Sequence, residues 1–304
     1  MDASVTVNYL RLAPDTPVVK TYTVPANSRL TIPVDTQGPE LAAADLAARI
    51  DSNLPIIAER AMYSTGPGQP PFVAGTGGAG VTAPALKWFL AEGATGGFFD
   101  LYVLVANPNA VASALKVTYL FPSGEPPLVK TYTAGANNRL TISVDVEDPR
   151  LENTPVSIIV ESTNNQPVVV ERAMWWPSPN WYEGHISAGT TTTGTKWALA
   201  EGETEIDAET YILIANTADT PGTATVTFLP DLNNGFGVPY EVKVSLAPNS
   251  RTNVICSDVL GHGWQFGALV ESDGVPIVVE RAMYKTTNGV PWSVGTSAVA
   301  TKLQ

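Results

Sequence analysis

Apolar and polar residues alternate in short runs along most of the chain, and Gly, Pro, Asn and Asp interrupt these runs. A period of two residues is typical of strands with one buried face, and the interruptions are typical of tight turns. Many short strands without long helical stretches favour an all-β fold of antiparallel β-sandwiches with immunoglobulin-like architecture. Between residues 87 and 195 the predicted strands lie near 88–92, 100–106, 114–121, 127–133, 139–145, 156–161, 167–175 and 184–189.

This pattern occurs three times along the chain. A Glu-Arg-Ala-Met-aromatic signature closes an apolar run at residues 59–63, 171–175 and 280–284, with spacings of 112 and 109 residues. Solenoid repeats are about 20–50 residues long, so a repeat of about 110 residues indicates a tandem array of whole small domains. The predicted boundaries are 1–86 for an incomplete unit one, 87–195 for unit two and 196–304 for unit three.

Unit one lacks the two segments that open the other units, of which 88–106 is the example in unit two. The remaining strands would expose apolar side chains and an unpaired sheet edge, which native proteins cover. Either unit one borrows 88–106, or another molecule supplies the cover by strand addition, which can build fibres. Two local predictions also concern unit one: an Ala-rich helix at 39–48 and a flexible glycine linker at 75–80.

The recurring charges predict a structural network. Alternation along the predicted strand near 167–175 places Arg172 on one face with Val170 and Met174. A buried charge needs a partner, so we expect Arg172 and Arg281 to be largely buried against Glu92 and Glu201 respectively. An acid/base pair of a hydrolase is the alternative, but the charges recur with the core pattern, which favours the structural interpretation. The full predicted network is Glu59, Arg60, Glu92, Glu171, Arg172, Glu201, Glu280 and Arg281.

An Asn-Ser-Arg motif or its variant precedes each Glu-Arg signature. It lies at 27–29, 137–139 and 249–251. The asparagine predicts a tight turn, and the arginine after it is expected to cover apolar surface with its stem.

Composition limits the functions that remain. A net charge of −12 argues against nucleic-acid binding, and no apolar stretch is long enough to predict membrane insertion. Cys256 is the only cysteine, so a disulfide within the chain is excluded, and its apolar neighbours predict a small buried side chain. His185 and His262 occupy non-equivalent positions, and no nucleophile, base and orienting group assemble. The sequence therefore predicts neither an enzyme nor a cofactor.

Two features leave binding open. The loop at 175–182 contains Trp176, Trp181 and Tyr182, which could brace a hairpin or present a platform for a sugar or a partner protein. Aromatic pairs Tyr63 with Phe72 and Tyr284 with Trp292 occupy corresponding places in the other units. Acidic residues crowd 145–152 and 201–209; Asp145, Glu147 and Asp148 are weak calcium candidates, because solvated acidic loops are commoner and no EF-hand spacing is present.

The succession of Trp-x-x-Ala-Glu-Gly, an Asn-Pro strand end, Ala-Asn-Ser-Arg and Val-Glu-Arg-Ala-Met-Tyr resembles a family of uncharacterised repeats from secreted and cell-surface proteins of actinobacteria and related bacteria. The resemblance covers units two and three fully and unit one from Ala3. It implies a non-enzymatic structural or adhesive protein at the cell surface or outside the cell, such as a stalk, surface-layer or filament subunit. Expected partners are further copies or other cell-surface proteins; a glycan bound at the aromatic loop is the alternative.

Overall fold

The computed structural model describes residues 1–65, 74–122, 124–231 and 238–304. These residues form six antiparallel sheets, which confirms the all-β prediction. In the described ranges, three short 3₁₀ turns (Val34–Thr36, Val144–Val146 and Pro149–Leu151) and one helix, α1 (Cys256–Leu260), connect strands.

Unit one contributes a three-stranded sheet and a separate hairpin. Its strands are β1 (Ala3–Arg11), β2 (Val18–Val24), β3 (Leu46–Ser52), β4 (Glu59–Ser64) and β5 (Ala74–Ala79). The sheet order is β2-β1-β3, and β4 pairs with β5.

Unit two is a sandwich of two four-stranded sheets, ordered β6-β11-β8-β9 and β10-β7-β12-β13. All eight strands predicted from the alternating pattern are present, with ends shifted by at most two residues. Their bounds are β6 (Lys87–Leu90), β7 (Asp100–Asn107), β8 (Ser113–Leu120), β9 (Leu128–Ala134), β10 (Asn138–Ser143), β11 (Ser157–Ser162), β12 (Val169–Trp176) and β13 (Glu183–Ala188).

Unit three repeats this topology. One sheet has the order β18-β17-β20-β14-β23 with β15 paired to β20, and the other has the order β19-β16-β21-β22. Its strands are β14 (Lys196–Leu199), β15 (Glu203–Thr204), β16 (Ala208–Asn216), β17 (Gly222–Pro230), β18 (Tyr240–Leu246), β19 (Ser250–Ile255), β20 (Trp264–Ser272), β21 (Ile277–Thr287), β22 (Val290–Val299) and β23 (Thr301–Lys302).

Two local predictions for unit one are wrong. The predicted helix at 39–48 forms turns at 39–43 and then enters β3, because Leu46, Ala47 and Ala48 pair with β1. Cross-strand pairing therefore overrides the helical propensity of alanine. The predicted linker at 75–80 is mostly strand β5, paired with β4. A Cβ at Gly75 would lie 3.1 Å from the Tyr63 ring, so the absence of a side chain permits this close pairing.

The idea that unit one borrows 88–106 is also wrong. Strand β6 pairs with β11, and β7 lies between β10 and β12, so both belong to unit two. In unit one, residues 28–33 correspond to β10 but form no strand, since the neighbour that pairs with β10 has no counterpart among the described residues of this unit. Leu30 and Ile57 are exposed there.

The hydrophobic cores show how the units are joined. Unit one has a small cluster of its own around Val5, Val7 and Tyr9. Units two and three share their cores instead: Leu213 and Tyr284 of unit three pack into the cluster of unit two. Units two and three thus form one fused body. Along its edge, β13 packs between β5 and β22.

Among the described residues, no helix is long and apolar enough to cross a membrane.

Candidate functional site

Arg172 lies at the centre of the charge network. Strand β12 buries alternate side chains, and this places the Arg172 guanidinium, with no exposed surface, beside Val170 and Met174. Its Nη2 lies 2.8 Å from Oε2 of Glu92, the partner expected from the sequence, and its Nη1 donates to the Glu92 carbonyl at 2.9 Å. Nη2 also donates to the hydroxyl of Ser187 at 2.8 Å.

Unit three completes this site. Nη1 of Arg172 lies 2.7 Å from Oε2 of Glu280, which is fully buried, and the other oxygen of Glu280 accepts from the Ala91 backbone N–H at 2.8 Å. Ser297 of unit three accepts from Arg172 Nη2 at 3.0 Å. Burial alone would lower the pKa of Arg172, but Glu280 and Glu92 together raise it, so the guanidinium stays charged. The sequence predicted the participants but not that Glu280 bonds across the unit boundary.

Two further side chains close the site. The hydroxyl of Tyr284 donates to Oε1 of Glu92 at 2.9 Å, and burial followed by the charge of Glu92 raises the Tyr284 pKa well above its usual value. His185 lies with Nε2 3.8 Å from Oε1 of Glu92 and Nδ1 3.2 Å from the Ser297 hydroxyl. Burial, and then the charge of Arg172, lowers the pKa of His185 to about 3, so its ring is neutral at physiological pH.

The same link joins units one and two in a more exposed form. Arg60 Nη1 lies 2.7 Å from Oε2 of Glu171, with 39% and 22% of the side chains exposed. Glu171 and Glu280 occupy the same repeat position, as do Arg60 and Arg172. The Glu-Arg signature therefore bonds each of these two glutamates to the arginine of the preceding unit.

In unit three the site is half assembled. Arg281 Nη1 donates to the Glu201 carbonyl at 2.9 Å and lies 3.4 Å from its Oε2, as expected from the sequence. Glu201, however, has 71% of its side chain exposed. No acidic group of another unit reaches Arg281 within the described part of the chain. Glu59 of unit one is likewise exposed, and its side chain makes no hydrogen bond or ion pair with another described residue.

The arginines of the Asn-Ser-Arg turns also cross unit boundaries, which the sequence did not predict. The turns are as expected, since Asn27, Asn137 and Asn249 have φ values of 55°, 51° and 45°. The sequence predicts that the stem of this arginine covers apolar surface, and Arg251 in addition bonds to the preceding unit. This side chain is buried and donates to the carbonyls of Gly93 and Val156 in unit two, the latter at 2.8 Å.

Burial lowers the pKa of Arg251 to about 10, and the guanidinium remains charged. In unit two, Arg139 takes the equivalent place and lies 3.5 Å from Oδ2 of Asp45 in unit one. A backbone bridge accompanies each side chain: Pro122 with Arg251, and Leu12 with Arg139. Each pair of neighbouring units is thus joined by both an arginine and a glutamate from the later unit.

The aromatic loop differs from its prediction at Trp176. This side chain has 0% exposed surface and packs against Tyr284, and its Nε1 donates to the Trp292 carbonyl at 2.7 Å, so it is no exposed platform. Trp181 is exposed, lies edge-on to Tyr102 and donates to Asp100; Tyr182 is half-buried. The predicted pair of Tyr284 and Trp292 is in contact, with ring centroids 5.3 Å apart. Of the other predicted pair, Tyr63 with Phe72, Phe72 lies outside the described residues.

One titrating residue of this loop was missed by sequence reasoning. Burial raises the pKa of Glu183 to about 7, with the N–H of Gly184 opposing the shift. An isolated glutamate beside an aromatic loop carries no sequence signal of this kind, because the shift depends on tertiary burial.

The weak calcium candidates have separate partners. Asp145 accepts backbone N–H groups of Gly96 and Leu101, while Glu147 accepts the hydroxyl of Tyr132 at 2.5 Å. Asp148 caps the 3₁₀ turn that follows it, by accepting from the Arg150 N–H. Across the residues the structure describes, no group of three or more His, Cys, Asp or Glu side chains is placed to hold a metal ion. Cys256 is buried, as expected.

Comparisons with known proteins add little. No protein family matches the sequence, and no curated protein matches it either. A crystal structure, that of Thermotoga maritima 1070, matches 36% of this chain and 94% of its own length, at 18% sequence identity and a TM-score of 0.32. A likeness this weak carries no argument, so the chain's own residues must support any assignment of function.

Proposed function

We propose that this chain is a non-enzymatic structural or adhesive repeat protein that acts at the cell surface or outside the cell. Its β-sandwich units, joined by contacts between neighbours, are suited to a stalk, a surface layer or a filament. The observation that carries the proposal is the buried network of Glu92, Arg172 and Glu280 between units two and three.

The geometry of this network favours a mechanical role over catalysis. Catalytic and ligand sites are concave and reachable by a substrate. Here the carboxylates of Glu92 and Glu280 are buried, and arginine, tyrosine or backbone N–H donors surround them. Removing one member of a buried pair is costly, so such a pair holds two units in one relative orientation. A scaffold needs such a fixed orientation.

Recurrence supports the same role. The Glu-to-Arg link appears at both unit boundaries, at the same positions of the repeat. A device that recurs at every boundary serves the array rather than one unit's chemistry. The resemblance to repeats of secreted and cell-surface proteins supports a location outside the cell.

Immunogold electron microscopy of source cells tests the location and the structural role. An antibody raised against the whole chain should label the cell surface or an extracellular layer, and the same antibody pre-absorbed with the purified chain should not. Label confined to the cell interior would overturn the proposal.

The glycan alternative now depends on Trp181 and Tyr182, because Trp176 is buried. Binding on a glycan array that is lost in Trp181→Ala and kept in Tyr240→Ala, a change at another exposed aromatic residue, would favour it.

A further inference from the structure

Unit three has a copy of a site that is filled on unit two, and no arginine of the described residues enters this copy. The filled site receives Arg251 between the carbonyls of Gly93 and Val156. Their counterparts in unit three are Gly202 and Phe266, and the same backbone hydrogen bond of 2.9 Å joins each pair. We call the filled site and its counterpart the arginine sockets of units two and three.

A cavity lies at the socket of unit three. Its volume is about 430 Å³, and Glu201, Gly202, Asp231, Gln265 and Phe266 are among the residues that line it. In unit two, the counterparts of Gly202 and Phe266 are Gly93 and Val156, whose carbonyls accept from Arg251. The counterpart of Asp231 is Pro122, which forms a backbone bridge with Arg251. The cavity is therefore lined by the same repeat positions, with the same carbonyl acceptors, that hold the guanidinium of Arg251 in unit two.

Residues beside this socket are exposed in unit three, whereas their counterparts in unit two are buried. Ala91 and Glu92 of unit two are buried under unit three, whereas Ala200 and Glu201 at the same repeat positions are exposed. Arg281 has its own unit's Glu201 carbonyl as acceptor but, within the described residues, no counterpart of Glu280. The face thus combines the guanidinium of Arg281, whose side chain is 10% exposed, with a neighbouring socket lined by carbonyl acceptors.

The complementary groups are open on unit one. Arg29 and Glu59 correspond to Arg251 and Glu280, and both are exposed, with no side-chain bond to another described residue. The turn before Arg29 is formed, since Asn27 has a φ of 55° against 45° for Asn249. The corresponding groups of units two and three are already engaged at the two internal boundaries.

We propose that the arginine socket of unit three docks unit one of a second copy of this chain, with Arg29 entering the socket and Glu59 pairing with Arg281. This inference rests on the proposed structural function and names its partner. The internal boundary between units two and three supplies the geometry, and the opposite charges of Glu59 and Arg281, together with carbonyl acceptors for the Arg29 guanidinium, provide complementarity. A heterologous contact of this kind links copies head to tail.

Sedimentation velocity of the full chain tests the proposal, with concentrations from about 1 µM to 1 mM to bracket the affinities expected of transient contacts. The chain should self-associate, and Arg29→Ala combined with Glu59→Gln should weaken association at least tenfold. Both changes are at exposed residues, so folding is not at risk. Lys243→Ala combined with Glu152→Gln, also exposed and away from both faces, is the matched control and should associate as the parent does.

A charge exchange makes the pairing specific. Glu59→Arg and Arg281→Glu chains should each associate weakly alone, because each then brings like charges together at this contact. A mixture of the two should recover association, since the exchanged charges at positions 59 and 281 are again opposite.

Two results would overturn the proposal: a chain that is monomeric at every concentration, and association that the Arg29 and Glu59 changes leave intact. Neither result would change the location at which the immunogold label is found. Failure of this inference is therefore distinguishable from failure of the proposed function.

Discussion

Equivalent ion pairs of the repeat differ in how deeply they are buried. Arg60 and Arg172 each meet a glutamate of the next unit at 2.7 Å, but only the pair of Arg172 and Glu280 is free of solvent. Exposed ion pairs contribute about 0–1 kcal/mol, because water and side-chain entropy offset the attraction. Breaking a buried pair costs about 3–5 kcal/mol, because an uncompensated charge remains.

The two glutamates therefore give a matched prediction. Glu280→Gln should lower the free energy of unfolding of units two and three by about 3–5 kcal/mol, and Glu171→Gln should lower it by less than about 1 kcal/mol. Urea unfolding followed by tryptophan fluorescence measures both changes. Equal losses for the two variants would contradict the importance of burial at Glu280.

His185 predicts a pH dependence. Its pKa is about 3 in the folded chain, against 6.5 for an ordinary histidine, and Arg172, Glu92, Glu280 and Tyr284 surround it. The unfolded chain binds the proton more readily, so stability is complete above pH 6.5 and falls as the pH decreases toward 3. At a pH of about 4.5 the loss from this group is about 2–3 kcal/mol.

The control for this effect is the exposed His262. His185→Asn should flatten the dependence of unfolding free energy on pH between about 6.5 and about 4.5, while His262→Asn should leave it as in the parent. The measurement is urea unfolding at a series of pH values. An unchanged slope in His185→Asn would show that carboxylates alone produce the acid sensitivity.

At the scale of elements, a strand depends on its neighbour. Residues 138–143 form β10 in unit two because β7 lies beside them, and the corresponding 28–33 of unit one form no strand. Strand β4 likewise has β5 on one side only, whereas β12 has β7 and β13. In unit one, the place that β7 takes in unit two between β10 and β12 holds no described strand. The backbone groups of 28–33 and β4 that face this place have no ladder partner among the described strands.

Supplying the neighbour should complete unit one. A copy of residues 87–112 placed directly before Ala3 carries the sequences of β6 and β7 into the position that they hold before Ser113 in unit two. We expect slower amide hydrogen exchange at 28–33 and 59–64 and a higher melting temperature of unit one, because the added strand buries apolar side chains and pairs both edges.

A control keeps the added length but removes its buried face. In that extension, Ser replaces the copies of Leu101, Val103 and Val105, which are fully buried in β7. The control should leave exchange at 28–33 fast. Equal protection by both extensions would mean that the gap does not select an apolar strand.

At the scale of the whole molecule, the cores divide the chain into a small part and a large one. The cluster of unit one is made of its own residues, such as Val7. The clusters of units two and three each contain residues of the other unit. Small cores bury less surface and are less stable. A shared core couples the unfolding of its two units.

Calorimetry should therefore show two transitions, the lower one from unit one and the upper one from units two and three together. Leu213→Ala should lower only the upper transition, at a cost of about 2–5 kcal/mol, since this leucine of unit three packs in the core of unit two. Val7→Ala should lower only the lower transition. Three separate transitions would show that units two and three unfold independently.

The sequence by itself determined the strands of unit two, the tight asparagine turns, and the pairing of Arg172 with Glu92 and of Arg281 with Glu201. Alternation with period two, turn residues and the need of a buried charge for a partner are local rules, so they can be read without coordinates. Only the tertiary structure decided that residues 46–48 form a strand, that residues 74–79 pair with β4, and that Trp176 is buried.

The links between units were also decided by the tertiary structure alone. The pairing of Glu280 with Arg172 and the burial of Arg251 against unit two depend on how one sandwich sits on the next. A repeat sequence shows which residues recur, but the same residue can bond within its own unit or with its neighbour. Which of the two occurs follows from packing between distant segments, because burial and contact distance are properties of the folded chain alone.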